Sequence, residues 1–484
     1  MSAISPRRDE DFSQWYLMAV MPLAQHGAVR GTQVIKPWGY GIWSFIKSDL
    51  DLRIQKKGCE NFYAPLFVGL DALSQEAAHI EGFAAECAVV THSRLSLKNG
   101  VLVPDSPLTE PVVVRPTSEA IIGPIAKGWV ESYRDLPLKL NQWANVVRWE
   151  MRTRLFLRSS EFLWQEGHTF HATENEANDF AKQMWHVYAE FMKETLALPV
   201  VMGEKPMYER FSGAKHSYTL ELLMQDGKAL QGGTSHDLGQ NFSKAYDISF
   251  MGQDSQIEHA CGTSWGLTTR LIGAMVMVHG DDDGLRIPPK VALKQVVIIP
   301  INPKNDLMIE KACVDVQNRL AALMYDNKPV RVTMDNRDIR GGAKKWAWVK
   351  KGIPLRIEIG PRDLEKQSMC VIRRDMDEKQ FIPMLDVEKI PQILEDIQDN
   401  LYHEASDFLR LNTHVEESLE SLLAYFEKGG IGLVKVPYFD HTEVEETLSQ
   451  HQISVRCIQD CAKSSICVFT GKATQQVAII AKSY

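Results

Sequence analysis

The sequence predicts a mixed α/β (α+β) protein of several domains, and three observations carry the prediction. The chain has 484 residues, enough for more than one core. Strand-like runs alternate with helical stretches along its first 287 residues. After Ile287-Pro288-Pro289-Lys290, which reads as a linker, a strand–helix–strand rhythm begins afresh. The domains expected are 1–287, 288–400 and 401–484.

The elements follow in order. Asp11 to Lys57 mixes helical amphipathic pattern with a turn at Lys36-Pro37. Asn61 to Phe67 is an aromatic, extended stretch that ends in Pro65-Leu66. Strands are expected at Val112–Arg115, Asn141–Trp149, Phe162–Phe170 and Lys228–Gly232. Helices are expected at Glu174–Leu196, which opens on Thr173-Glu174, and at Trp265–Val278. Beyond the linker, Val296–Ile301 is a continuous apolar run suited to a buried strand. A helix from about Leu307 to Met324 and a strand at Val330–Met334 complete a βαβ unit. A long helical pattern then runs from after Glu388 to Phe426 and closes at Gly429-Gly430.

Composition narrows the class. Hydrophobic residues make up 44% and charged residues 24%, as in ordinary globular proteins. The net charge of −8 argues against a nucleic-acid partner only if it is spread evenly. It is not: from Lys290 to Arg374, eighteen Lys and Arg face nine Asp and Glu, a local +9. That stretch suits RNA, or is a solvated basic surface. The eight cysteines include no CxxC, which fits a reducing, cytoplasmic setting. Met1 to Phe12 lacks the apolar core of an export signal, and no run of about 18 apolar residues predicts a membrane span.

Four blocks carry chemistry. Val147-Arg148-Trp149-Glu150 places Arg148 and Glu150 on one side of a strand, and Arg158 returns across a hairpin-length excursion. Two guanidinium forks and a carboxylate can clamp a nucleotide, or form a surface ion-pair lattice. In Arg115-Pro116-Thr117-Ser118-Glu119, a hydroxyl and a carboxylate can receive a small cationic amine; the same string can start a helix. Leu230-Gln231-Gly232-Gly233-Thr234-Ser235-His236 lets backbone approach a ligand, or makes a bulge. Thr263 to Arg270, with Gly266 and a helix opening at Arg270, suggests phosphate near a helix N-terminus.

Together these blocks have the order and spacing of class II aminoacyl-tRNA synthetases. Arg115-Pro116-Thr117-Ser118-Glu119, Arg148-Trp149-Glu150, Trp164-Gln165-Glu166-Gly167-His168, Gly239-Gln240-Asn241-Phe242 and His279-Gly280-Asp281-Asp282 resemble prolyl-tRNA synthetase of the archaeal and eukaryotic type. Ile357-Glu358-Ile359-Gly360-Pro361-Arg362-Asp363 extends the resemblance across essentially the whole chain.

The resemblance implies a catalytic domain with an antiparallel sheet flanked by helices, an α/β anticodon-binding domain and a small α/β C-terminal domain. It implies that proline's carboxylate attacks the α-phosphorus of ATP in line, with pyrophosphate leaving, and that the prolyl group then passes to tRNA(Pro). Arg148 would hold the α-phosphate and the carboxylate, and Glu150 would accept from the adenine amino group. Arg158 and Arg270 would grip the phosphate tail, with Ser159, Gln231, Thr234 and Thr268 adding contacts. Mg²⁺ would neutralise the pyrophosphate. Thr117 and Glu119 would meet the ring ammonium of L-proline, and Trp164, Glu166, His168, Phe211 and His236 would form its pocket. Arg337, Lys344, Lys345, Trp346 and Arg362 are the candidates for tRNA contact. Bacterial-type relatives insert an editing domain between the positions of His168 and Gln231; about sixty residues leave no room for one here. Pro65 falls in the family's dimer-forming motif, so a homodimer is expected.

The chain also departs from the family. Val436 to Glu443 holds no cysteine where relatives carry the first pair of a zinc site, and only Cys467 remains of the second, so zinc is not expected. Ser160 stands where Arg is expected, Lys215 where Asp is, and Asp237 where His is. These changes leave two other readings: a specialised or inhibitor-resistant paralogue that activates a proline-like acid, and a non-catalytic tRNA-binding regulator.

Overall fold

The structure, a computed structural model, describes residues 4–79, 86–301, 307–376, 378–441 and 443–484. Met1–Ala3 of the stretch that lacks an export signal's apolar core and Thr442 of the cysteine-free stretch lie outside these residues.

The N-terminal unit opens with α1 (Phe12–Ala19) and α2 (Pro37–Gln55). Lys36-Pro37 is not a free turn but the start of α2, with Pro37 in the first turn, where its fixed φ fits and its missing N–H costs nothing. Asn61–Phe67 is irregular chain between short strands at Glu60–Asn61 and Phe67–Gly69. A long hairpin, Ala88–Lys98 with Val101–Val114, precedes α3 (Glu119–Trp129), which begins directly after Ser118. The functional string at Thr117–Glu119 is thus also a helix start.

Six antiparallel strands form the floor of this unit: β1 (Leu138–Val147), β2 (Glu161–His171), β3 (Val201–Glu204), β4 (His216–Leu223), β5 (Ala229–Gly239) and β6 (Cys261–Thr268). Their spatial order is β3-β4-β5-β6-β2-β1. Across one face lies α4 (Glu174–Leu196). Its start is fixed locally: the Thr173 hydroxyl accepts from the Glu176 amide while Glu176 reaches back to the Thr173 amide. Phe180, Met184, Tyr188 and Phe191 recur at helical spacing and are buried against the sheet with Trp265.

Two sequence expectations change here. The stretch from Trp265 is not helical throughout: it stays in β6 to Thr268, and α5 (Arg270–His279) follows. The segment Cys261–Trp265 is wholly buried between β5 and β2, so no buried-exposed alternation marks it as strand. Arg148 and Glu150 are not on β1, which ends at Val147; they open the loop to β2.

The second unit holds a five-stranded sheet. Its strands are β7 (Val296–Pro300), β8 (Val332–Met334), β9 (Leu355–Ile359), β10 (Ser368–Arg373) and β11 (Lys379–Pro383), in the order β8-β7-β9-β10-β11. β7 runs parallel to β8 and β9. α6 (Leu307–Ala321) crosses over it, and Cys313 and Val316 pack on Ile298 and Ile357. α7 (Gly341–Lys350) precedes β9. This unit is clamped to the first by Arg374, whose two terminal nitrogens lie 2.6 and 2.5 Å from the Asp281 carboxylate.

The long helical pattern after Glu388 is broken. α8 (Ile390–Leu411) ends at Asn412, β12 (Thr413–Val415) intervenes, and a new helix runs Leu419–Glu427 behind its own N-cap, Ser418. The remaining strands are β13 (Leu433–Pro437), β14 (Ser454–Ile466) and β15 (Ala473–Ala481). β14 meets β3 at Ile458 and Glu204, so the described strands of the first and last units join in one eleven-stranded sheet.

Candidate active site

The open face of β2, β5 and β6 carries a concave pocket of about 450 Å³. All fifteen residues expected above to meet ATP or proline line it. Strand pleating explains the convergence. Trp164, Glu166 and His168 are alternate residues of β2, so they share a face. Register extends the rows across the sheet: His168 lies beside Ser264, which lies beside His236. Glu166 lies beside Gly266, which lies beside Thr234. Gly266 leaves the middle of its row bare, and a Cβ there would stand 3.0 Å from the Gln165 carbonyl. In β5, Gly232 is the extra residue of a bulge opposite Leu220 and Glu221. The extra residue brings Gln231, three positions from Thr234, onto the face of Thr234 and His236.

The loop between β1 and β2 is held at both ends. The Arg148 amide donates to the Ser160 carbonyl at 2.8 Å, and the Ser160 amide donates to the Gly31 carbonyl at 2.8 Å. Gln33 accepts from the Phe156 amide at 2.9 Å. Arg148 donates through Nε to the Pro116 carbonyl at 2.9 Å, and its guanidinium carbon lies 5.6 Å from the Trp164 ring centre. Arg270 donates to the Leu157 carbonyl at 3.2 Å, and its amide to the Thr268 hydroxyl at 3.0 Å. The Ser159 hydroxyl donates to the Glu161 carbonyl, and Glu150 accepts from the Arg152 amide.

Arg148, Arg158 and Arg270 face one space. Burial, and then the like charges of Arg158 and Arg148, lower the Arg270 pKa to about 10. Three cations held together against their own repulsion make a site that a polyanion relieves.

The other end of the pocket is aromatic and nearly neutral. Phe211 lies 4.8 Å from His236 between ring centres, and the His236 imidazole bonds the Ser217 hydroxyl at 2.9 Å. Burial lowers the His236 pKa to about 3, so its ring is uncharged at neutral pH. The buried Trp164 indole N–H has no hydrogen-bond partner among the described residues. Thr117 donates to Glu119, and both side chains are more than nine-tenths buried beside this wall.

Glu166 is occupied from within. It accepts from Ser118 at 2.5 Å, from Gln142 at 2.6 Å and from His168 at 3.1 Å. Its direct role is therefore to hold these three groups, His168 among them. Burial opposes charge on His168, but the bond to Glu166 and the charges of Glu119 and Glu166 outweigh it and raise the pKa above 6.5. A raised folded-state pKa stabilises the fold fully below the unfolded value and loses that contribution as pH climbs through the folded value. The melting-temperature gap between wild type and Glu166→Gln should therefore narrow as pH rises from about 6.5. A gap that stays constant from pH 5 to 9 would contradict the coupling.

Sequence reasoning missed Lys205 and Glu209, which also line the pocket. Lys205 is an isolated basic residue before Pro206 and carries no local signal; its partners lie elsewhere in the fold. The three departures from the family pattern, Ser160, Lys215 and Asp237, are absent from the lining. Ser160 is buried against Gly31, on which a Cβ would clash with the Ser160 hydroxyl. Lys215 pairs with Glu174 at 2.6 Å, and Asp237 accepts from the Gly239 amide at 2.9 Å.

The candidates for tRNA contact divide. Lys345, Trp346 and Arg362 reach the surface of the second unit. Arg337 is half exposed but forked onto Asp335 at 2.8 and 2.6 Å. Lys344 is 3% exposed and donates to the Asp335 carbonyl, so its ammonium is turned inward, away from any surface ligand. A backbone acceptor and the apolar face of α7 take the place of solvent.

Residues 104–279 match the family described as tRNA synthetase class II core domain (G, H, P, S and T). Residues 295–396 match the anticodon binding domain family. The whole chain is 50% identical to a proline–tRNA ligase of Protochlamydia amoebophila, covering 99% of that protein. It is 46% identical to one of Akkermansia muciniphila, again covering 99%. Among solved structures, the prolyl-tRNA synthetase of Cryptosporidium parvum complexed with L-proline and AMP superposes with a TM-score of 0.91 at 35% identity, over 100% of this chain and 97% of that one. The same enzyme complexed with halofuginone and AMPPNP gives 0.91 at 36% identity, over 100% and 99%.

Proposed function

We infer the chemistry of the pocket from one premise: the chain belongs to the proline–tRNA ligases, class II aminoacyl-tRNA synthetases. It activates proline with ATP and loads it onto tRNA. The observation that carries the assignment of residues is the split pocket, with three guanidinium groups at one end and a neutral aromatic wall at the other.

At the cationic end, Arg148 holds the α-phosphate and the proline carboxylate, while Arg158 and Arg270 hold the β- and γ-phosphates. As pyrophosphate leaves, charge moves toward Arg158 and Arg270, which stabilise it; positioning and charge neutralisation suffice for such a step. Glu150 takes the adenine amino group, and Ser159, Gln231, Thr234 and Thr268 line the nucleotide's path. Among the described residues no group of three His, Cys, Asp or Glu can hold a metal ion. Mg²⁺ would therefore come with the nucleotide's phosphates, as MgATP.

At the other end, Thr117 and Glu119 meet the ring ammonium, and Trp164, Phe211, His236 and His168 enclose the ring, with Glu166 behind them. Shape does most of the selection here, which limits discrimination against a similar side chain to about 1–3 kcal/mol. We read no editing in cis: the chain between β2 and β5 forms α4, β3, β4 and short connections.

The archaeal and eukaryotic subtype, the loss of zinc, a cytoplasmic location and a homodimer complete the reading. Against zinc, Cys457 packs on Gly203 inside the sheet, while Thr470 and backbone amides surround Cys467. For a cytoplasmic location, no disulfide joins the cysteines among the described residues. No helix among the described residues is long and apolar enough to cross a membrane. For the dimer, Tyr63, Phe67 and Val89 are more than half exposed beside Pro65. A monomer at micromolar concentration in light scattering would sink it.

Residues 288–400 bind the anticodon in this reading, with bases stacked on Trp346 and phosphates on Lys345, Arg362 and the free edge of Arg337. The test is charging of tRNA(Pro) with labelled proline. Trp346→Ala should lower kcat/KM for tRNA about tenfold, the cost of one stacked base, and leave tRNA-free pyrophosphate exchange unchanged. Equal loss in both assays would overturn this placement.

A further inference from the structure

Glu221 is fully buried, and its carboxylate is shared between two cations from distant parts of the chain. Lys205 lies 3.3 Å from one oxygen, which also accepts from Thr219 at 2.8 Å. Arg456, on β14 of the C-terminal unit, donates to the other oxygen through two nitrogens at 3.1 and 3.0 Å. Lys205 also reaches Glu209 at 3.0 Å.

Lys205 begins the short segment that ends at Phe211. Arg210 ties it to Glu204 at 3.0 Å and to the Lys215 carbonyl at 2.7 Å, and further contacts hold its start, middle and end. Its start is pinned by the Lys205–Glu221–Arg456 chain. Its middle is pinned by Asp440 of the C-terminal unit, which accepts from the Met207 amide at 3.1 Å. Its end is pinned by the Ser217 hydroxyl, which accepts from the Phe211 amide at 3.0 Å and also meets His236. The contacts at its start and middle therefore run through, or come from, the C-terminal unit. The same unit also runs along β3, where Ile458 pairs with Glu204, Gln459 donates to the Met202 carbonyl at 2.7 Å and Cys457 packs on Gly203.

We propose that Arg456 and Asp440 are positioning residues for the amino-acid end of the pocket: the C-terminal unit sets the place of Phe211, and thereby the affinity for proline. Buried charge makes the anchor specific in register. Glu221 cannot leave Arg456 without stranding an ion in the sheet, so the segment has one seat rather than several. Neither residue touches a substrate; both act through Lys205, Met207 and Phe211. The inference rests on the reading of Phe211 as the ring contact.

The experiment uses the full chain in steady-state pyrophosphate exchange, with proline and ATP varied separately. Arg456→Met and Asp440→Ala should each raise the KM for proline, by about tenfold and about threefold. The KM for ATP and kcat should stay within about twofold, and Arg456→Lys should recover part of the loss. Asp440 sits near the surface, so its variant folds even if Arg456→Met does not. An unchanged proline KM in Asp440→Ala and in whichever Arg456 variant folds, whatever happens to the melting temperature, would reduce the contacts to scaffolding and overturn the proposal. Equal rises for ATP and proline would overturn it too. Phe211→Ala is run beside them. If it leaves the proline KM unchanged, the ring contact fails and the inference falls with it; if it alone raises the KM, only the inference falls.

Discussion

Arg148→Ala lowers kcat/KM for proline-dependent pyrophosphate exchange by about a thousandfold, the scale seen when a preorganised donor to developing charge is removed. In the proposed reading Arg148 serves both substrates, because it stands between the cationic end and the Trp164 wall. Its Nε is already committed to the Pro116 carbonyl, which fixes the plane of the guanidinium. The terminal nitrogens then present a preset fork, which a bidentate phosphate or carboxylate matches. Arg148→Lys keeps the charge and loses the fork, so it should recover only a small part of the loss. Melting temperature should change little, since surrounding protein already lowers the Arg148 pKa and its charge is not a stabilising one in the empty pocket. A loss smaller than tenfold in the alanine variant would remove Arg148 from the reacting centre.

Arg270→Gln should have the second-largest effect, about a hundredfold in kcat/KM for ATP. Burial first, and then repulsion from Arg158 and Arg148, lowers its pKa to about 10; anionic phosphate relieves the repulsion, so part of the ATP affinity is stored in the empty site. Removing one of the three cations should leave the unliganded protein as stable as before, or more so. It should also shrink the ATP-induced rise in melting temperature. At a nucleotide concentration 100 times the wild-type Kd, ligand stabilisation is about 2.7 kcal/mol, and a hundredfold weaker site loses most of it. Differential scanning fluorimetry with and without ATP separates the two effects. A variant that melts lower but keeps the full ATP-induced rise would show Arg270 to be structural.

Much of this site was legible in the sequence because its chemistry is local. Arg148, Glu150 and Arg158 stand within one hairpin loop, and Trp164, Glu166 and His168 fall at strand period. The helix Glu174–Leu196 was legible end to end, since Thr173 and Glu176, three residues apart, cap it. Trp265–Val278 was misread because a buried central strand and a buried helix both look continuously apolar; only packing between β5 and β2 decides. Lys344 was misread because its partner is a backbone carbonyl, which no residue pattern announces. The least legible feature was the Glu221–Arg456 pair, whose members are 235 residues apart. A charged residue reads as surface until the fold brings its partner to it.

The most direct test of the account is amino-acid-dependent exchange of labelled pyrophosphate into ATP, run with each of the twenty amino acids and without tRNA. The account predicts rapid exchange with proline, at most weak exchange with alanine, and none with the others. No exchange with any of them, or exchange driven by an amino acid other than proline, would contradict it.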